Sequence, residues 1–157
     1  MKMEVDADSP QVRFPPPLIV LLCVLAGAGL QWLYPIRLFP SPWHWVLAIL
    51  LIMDGIFLIL YCAWIFKKAE TDIKPWKRTS RLITTGIYRF SRNPIYVAFL
   101  LVALGIACAV NSLWVLLMTI PLIVILDRYV IFKEEKYLEQ KFGEEYEAYR
   151  RQVRRWV

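Results

Sequence analysis

The stretch from Trp43 to Phe66 is 24 residues long and apolar throughout except for Asp54. Roughly 20 such residues form a helix that crosses about 30 Å of hydrocarbon. A helix apolar on every side needs either a large protein interior or a bilayer around it, and 157 residues cannot supply that interior. A second run, Pro17 to Tyr34, carries no charge at all. Two further runs, Ile95 to Val110 and Ser112 to Leu126, have 16 and 15 residues and reach at most about 24 Å each. They meet at Asn111, which predicts a tight helical hairpin. The last helix continues past Asp127 and Arg128 through Tyr129–Phe132, with Arg128 snorkelling to the interface and Pro121 kinking it. Composition agrees: 59% hydrophobic residues and 20% charged ones, against about 45–50% and 25% in soluble domains. A disordered chain, a coiled coil and a disulfide scaffold are thereby excluded. The expected fold is an all-α integral membrane helical bundle, one domain over 1–157. It has about four crossings at 17–34, 43–66, 95–110 and 112–132, a loop at 67–94 and amphipathic C-terminal helices at 133–157.

By its flanks the first run is expected to be a membrane helix and not a cleaved leader. Lys2 and Arg13 are outweighed by Glu4, Asp6 and Asp8, and the apolar stretch does not stop at Ala26-Gly27-Ala28. Charge then orients the bundle. Residues 67–94 hold eight Lys/Arg against two acids, a net +6 that equals the net charge of the whole chain. By the positive-inside rule this loop and the tail are cytoplasmic, and four crossings return the N-terminus to the same side. The expected setting is a bacterial inner membrane. Trp32, Trp43, Trp45 and Trp114 fall near the outer boundary and Trp64 near the inner one. The basicity therefore marks a membrane face, not affinity for nucleic acid. Leu138, Phe142, Tyr146, Tyr149, Val153 and Trp156 share one helical face of the tail, suited to lie on anionic lipid, and Gly143 is placed to break that helix.

Phosphate loops, dinucleotide fingerprints and serine elbows are missing. Cys23, Cys62 and Cys108 are isolated within apolar runs, and His44 sits alone between two tryptophans. No metal site is expected. Polar groups gather in Leu82–Tyr96 and in Lys133-Glu134-Glu135, which a closed hairpin brings together. Gly86 permits backbone conformations closed to other residues, and Pro94 suits a helix start. Arg89, Arg92, Asn93 and that helix N-terminus can bind a carboxylate. Glu134 or Glu135 can hold an ammonium or a ribose diol, and Tyr88 and Tyr96 offer faces to a cation or an adenine. The same residues also fit a positive-inside loop with acids at a helix end. Asp54, ionisable at mid-membrane, is expected in the bundle interior. Seven residues before Tyr61, it is either an acceptor-side contact or a protonated structural group.

Thr84-Thr-Gly-Ile-Tyr88, Ser91-Arg-Asn-Pro-Ile-Tyr96, Glu134-Glu135, Phe142-Gly-Glu-Glu-Tyr-Glu-Ala-Tyr149 and Val153-Arg-Arg-Trp156 occur in that order. Together they resemble the isoprenylcysteine carboxyl methyltransferase and phospholipid methyltransferase family over about residues 71–157. The resemblance implies a membrane enzyme that moves a methyl group from S-adenosylmethionine to a small lipophilic or lipid acceptor. It implies cofactor contacts from Leu82, Ile83, Tyr88, Asn93, Pro94, Ile95, Tyr96 and Glu134, with Gly86, Arg92 and Glu135 shaping or completing the pocket. Arg92 and Asn93 would position the reactants. Asn93 stands where the prenylcysteine enzymes have His, and Val130 stands where they carry an Arg associated with the substrate carboxylate. The nearest arginine here is Arg128, which becomes the substrate-side candidate beside Asp54. Two other readings stay open: a membrane reductase of similar C-terminal fold, and a non-enzymatic scaffold with a lipid-binding basic tail.

Overall fold

The computed structural model describes residues 8–40 and 42–157, and all regular structure among them is helical. The charge balance of Lys2, Glu4 and Asp6 and the placement of the extreme N-terminus fall outside these residues. Helix α1 (Pro16–Leu33) starts on Pro15-Pro16 and stops before Pro35, since a residue preceding proline disfavours the helical region. Helix α2 (His44–Lys68) ends on Lys67 and Lys68, cations that suit a helix C-terminus. Helix α3 (Pro94–Ala109) opens on proline. Asn111 then takes φ 48° and Ser112 caps the next helix, its hydroxyl accepting from the Val115 N–H at 3.2 Å. The chain returns through α4 (Leu113–Leu117), α5 (Thr119–Ile125), a π-helical segment (Leu126–Ile131) and α6 (Phe132–Gln152).

These last elements form one helical run, Leu113–Gln152, with no break between the apolar part and the charged tail. Pro121 lacks the donor that would bond the preceding turn, and the helix is interrupted there, at Met118. Gly143, at φ 48° and ψ −121°, kinks the tail and divides α6. α1, α2 and this run are long and apolar enough to cross a membrane, whereas α3 has 16 residues.

Small residues set the packing. Ala48, Gly55 and Cys62, seven apart along α2, are buried on the face toward α3. A Cβ on Gly105 would lie 2.6 Å from Ile52 Cγ1 and 3.0 Å from the Ile52 backbone nitrogen, and one on Gly55 would lie 2.9 Å from the Ala98 carbonyl. Lipid gives no hydrophobic incentive for helices to associate, so close backbone approach through small residues holds them together. Asp54 lies about 100° round the helix from Gly55 and is exposed, with no hydrogen bond or ion pair to any described residue. The expectation of a bundle-interior carboxylate is therefore corrected. The small residues claim the packed face, and their neighbour is left outside.

The end of the bundle holding the Asn111 turn is tied by polar contacts. The Asn111 side chain accepts from Leu38 and Phe39 N–H at 3.0 and 2.9 Å, and the Trp114 indole donates to the Tyr34 carbonyl at 2.6 Å. At the opposite end, residues 8–14 lie across α6. Asp8 meets Lys141 at 2.8 Å and Arg78 at 3.1 Å, and Tyr129 Oη accepts from the Arg13 and Phe14 N–H groups.

Gly105→Leu should force α2 and α3 apart at a cost of about 1–3 kcal/mol, lowering the thermal unfolding temperature in detergent. Gly29→Leu, with nothing within 4 Å of the added carbon, should stay within about 0.5 kcal/mol of the parent.

Candidate functional site

The loop from Ala69 to Asn93 folds over the end of the α3–α4 hairpin. Tyr88, on a 3₁₀ turn (Gly86–Arg89), is buried against Cys62, Phe66 and Ile83. Its carbonyl accepts from Tyr149 Oη of α6 at 2.7 Å. Two aromatic residues of the tail face, Tyr146 and Tyr149, are thus turned into the protein, and Tyr146 is only 1% exposed. The amphipathic tail presents them to the loop instead of to lipid.

A chain of ion pairs closes the site. Arg92, at the entrance to α3, meets Glu135 of α6 at 2.7 Å, and both side chains are buried, 8% and 9% exposed. The second Glu135 oxygen accepts from Arg155 at 2.6 Å, and Arg155 reaches Asp127 in the π segment at 3.2 Å. The Trp156 indole also donates to Asp127, at 3.1 Å. Arg92 further donates to the Arg150 and Val153 carbonyls, and Asn93 Nδ2 donates to the Arg155 carbonyl at 2.9 Å. Loop, hairpin and C-terminal segment are fastened together at these residues.

Beneath this clasp lies a cavity. Leu82, Ile83, Tyr88, Arg92, Asn93, Ile95, Tyr96, Glu134 and Glu135 all line it, as the sequence pattern anticipates. Pro94 is fully buried at the start of α3. Gly86 lines a neighbouring cavity instead. Arg128, the substrate-side candidate, lines neither cavity. It is 85% exposed, because the π segment directs Asp127 toward Arg155 and leaves Arg128 outside with a 3.8 Å contact to Asp127. Asp54 likewise lines neither cavity. Phe66, Asp72, Leu138, Tyr146, Tyr149 and Pro10 also line the first cavity. The helical spacing of the tail pointed to Leu138 and the two tyrosines, whereas nothing local in the sequence marks Asp72 or Pro10.

The two adjacent acids differ. Glu135 has both oxygens engaged by arginines. Glu134 turns into the cavity, where its carboxylate accepts from Tyr96 Oη at 2.7 Å. Burial pushes its pKa up to about 7, the Tyr96 bond opposes that rise, and the charge of Glu135 adds to it. Tyr88 is raised well above its ordinary value, chiefly by burial. Arg92 Nε is a buried donor with no acceptor among the described residues. Such an orphaned donor normally has a partner.

Buried arginine, a poorly solvated carboxylate, the N-terminus of α3 and a wall of tyrosines are compatible with the ligand that the sequence resemblance implies. It would be a zwitterion carrying a carboxylate, an ammonium, hydroxyls and an aromatic base, which are the groups of S-adenosylmethionine. The donor set therefore fits that cofactor. The enclosed free volume is about 90 Å³, below the roughly 300–1,000 Å³ of small-molecule sites, so the walls must part for a ligand of this size.

A family model described as phospholipid methyltransferase matches residues 43–145, which takes in α2, the loop, the hairpin and much of α6. An uncharacterized protein of Haemophilus influenzae is 36% identical over 63 residues, which is 40% of this chain and all of that protein. No solved structure gives a significant match.

Glu135→Ala should leave Arg92 buried without its counter-charge, a loss on the order of 3–5 kcal/mol, visible as earlier unfolding and faster proteolysis of the C-terminal segment. Glu145→Ala, at an exposed position, should change neither.

Proposed function

The chain belongs to the phospholipid methyltransferase family, and on that premise we propose that it moves a methyl group from S-adenosylmethionine to a lipophilic or lipid acceptor. The observation that carries this reading is that Arg92 and Glu134 line one cavity, Glu134 bonded there to Tyr96 and Arg92 keeping a buried Nε that has no acceptor among the described residues. Bound there, the cofactor supplies a sulfonium methyl group that a nucleophile can take directly.

Arg92 and the N-terminus of α3 hold a carboxylate, Glu134 holds an ammonium or a pair of ribose hydroxyls, and Tyr88 and Tyr96 border the reacting end. Phe66, Ile83, Ile95 and Leu138 keep water from it. Displacement at such a methyl needs alignment and desolvation more than acid–base groups, which suits a cavity without histidine. Arg155 and Asp127 are positioning residues that hold the tail, and Glu135, which also lines the cavity, holds Arg92 and completes the pocket. On this reading α3 makes a fourth, short crossing with α4 and α5, and the basic loop and both termini lie in the cytoplasm. The cofactor then enters from the cytoplasm and the acceptor from the bilayer of a bacterial inner membrane.

Calorimetry with S-adenosylhomocysteine on detergent-purified protein tests the cofactor site. Binding should be in the micromolar range, with Tyr88→Ala and Glu134→Gln each at least tenfold weaker, and a folded sample that binds nothing would refute the reading.

The raised Glu134 pKa sets a sign for pH. Below about 7 the carboxyl is protonated and cannot pair with an ammonium. Affinity should therefore climb about tenfold from pH 6 to pH 8 as the carboxylate forms, and Glu134→Gln should flatten the curve. Transfer of radiolabelled methyl over fractionated lipid extracts identifies the acceptor.

A further inference from the structure

The walls of the cavity that holds Glu134 are fastened with unequal strength, and that inequality decides which of them moves. Arg92, Glu135 and Arg155 are joined at 2.7 and 2.6 Å, with the Arg92 and Glu135 side chains enclosed. Beside them Tyr149 donates to the buried Tyr88 carbonyl at 2.7 Å. Parting a buried ion pair strands both charges, which is strongly unfavourable. This part of the wall stays closed.

Pro10 is another part of the wall, and it belongs to the strap of residues 8–14. The tip of that strap bridges the basic loop and α6. Asp8 accepts from Lys141 Nζ at 2.8 Å, pairs with Arg78 Nε at 3.1 Å, and takes a bond from Tyr137 Oη on its carbonyl at 3.1 Å. These contacts lie at the surface, with the Asp8 side chain 54% exposed and that of Arg78 68%. Ion pairs so exposed contribute little and are screened by salt.

The root of the strap is held differently. Val12 is wholly buried with Ile19, Tyr96, Leu126 and Val130, and the Arg13 and Phe14 N–H groups donate to Tyr129 Oη at 3.2 and 3.3 Å. Between tip and root, Gln11 takes φ 53°, a left-handed conformation that residues with a Cβ rarely adopt. A fixed root, a strained joint and a lightly held tip make a hinged segment, and such weakly fastened segments open before the core does.

We propose that residues 8–10 are the moving wall of the cavity. They swing about Gln11 to admit a ligand and close over it, with Pro10 against the ligand and Asp8 as the latch between Arg78 of the loop and Lys141 of α6. Naming the ligand as the methyl donor rests on the methyl-transfer reading above; the hinged strap does not. Asp8 is thus a positioning residue, remote from the reacting atoms.

Surface plasmon resonance of the full chain in detergent with S-adenosylhomocysteine tests the latch. Asp8→Ala should raise the association and dissociation rates together, each at least threefold, and leave affinity within twofold, because the latch holds the empty and the filled cavity alike. Lys141→Gln should do the same, the double substitution should add nothing, and Asp8→Glu should keep the parent rates. The unfolding temperature should not move. Unchanged rates in both single variants, or faster dissociation alone with weaker binding, overturns the proposal. Hydrogen exchange without ligand, resolved by fragmentation mass spectrometry, reads the hinge directly. In Asp8→Ala the Ser9 and Gln11 amides should exchange at least threefold faster, and those of residues 12–14 at the parent rate. A uniform change across 9–14 overturns the joint at Gln11. If exchange behaves as expected but the parent binds no S-adenosylhomocysteine, the methyl-transfer reading alone falls.

Discussion

The buried pair Arg92–Glu135 is the contact on which the rest of the polar end depends. Each charge is enclosed, so each would be costly alone, and their 2.7 Å approach, with Arg155 on the second Glu135 oxygen, offsets both charges while leaving Arg92 Nε without an acceptor among the described residues. Because Arg92 also donates to the Arg150 and Val153 carbonyls, the pair joins three separate parts of the chain: the end of the basic loop, the α6 helix and the C-terminal segment. It also assigns roles to two neighbouring acids. Glu135 is engaged on both oxygens, which leaves Glu134, one position earlier on the helix, to face the cavity with only Tyr96 as partner.

The apolar half supports this arrangement by a different physics. With lipid around it, the α2–α3 contact relies on Gly55, Gly105 and Ala48, where backbones meet without intervening side chains. That contact carries Cys62 and Ile65 of α2 against Tyr88 and Ile83 of the loop, so the same helix pair that anchors the bundle forms the floor of the site. The π segment is the other device. By altering the helical register between Leu126 and Ile131 it turns Asp127 toward Arg155, at a place where such segments often mark functional sites.

Much of the fold was legible in sequence. The apolar runs, the turn at Asn111 and the break at Gly143 depend on local properties: transfer free energy summed over about 20 residues, a left-handed turn, and a residue free to adopt positive φ. The cavity-lining set Leu82, Ile83, Tyr88, Arg92, Tyr96 and Glu134 was legible too, through the ordered motifs. Asp54 was not placed correctly, since hydropathy says that a charge interrupts a helix but not which side it faces. Arg155 and Arg154 stood in the Val153–Trp156 motif without a role, although one binds Glu135 through its side chain and the other accepts from the Arg92 N–H through its carbonyl.

What the sequence determined by itself is a membrane bundle with its polar chemistry concentrated at one end, because hydrophobicity and charge are carried residue by residue. Which acid meets which cation was decided only by the tertiary structure. Those partners in the site lie 20 to 43 positions apart, and their meeting depends on how the π segment, the Gly143 kink and the small-residue contact between α2 and α3 rotate each helix. The neighbouring cavity arises in the same way, from a loop and a helix face that share no sequence motif.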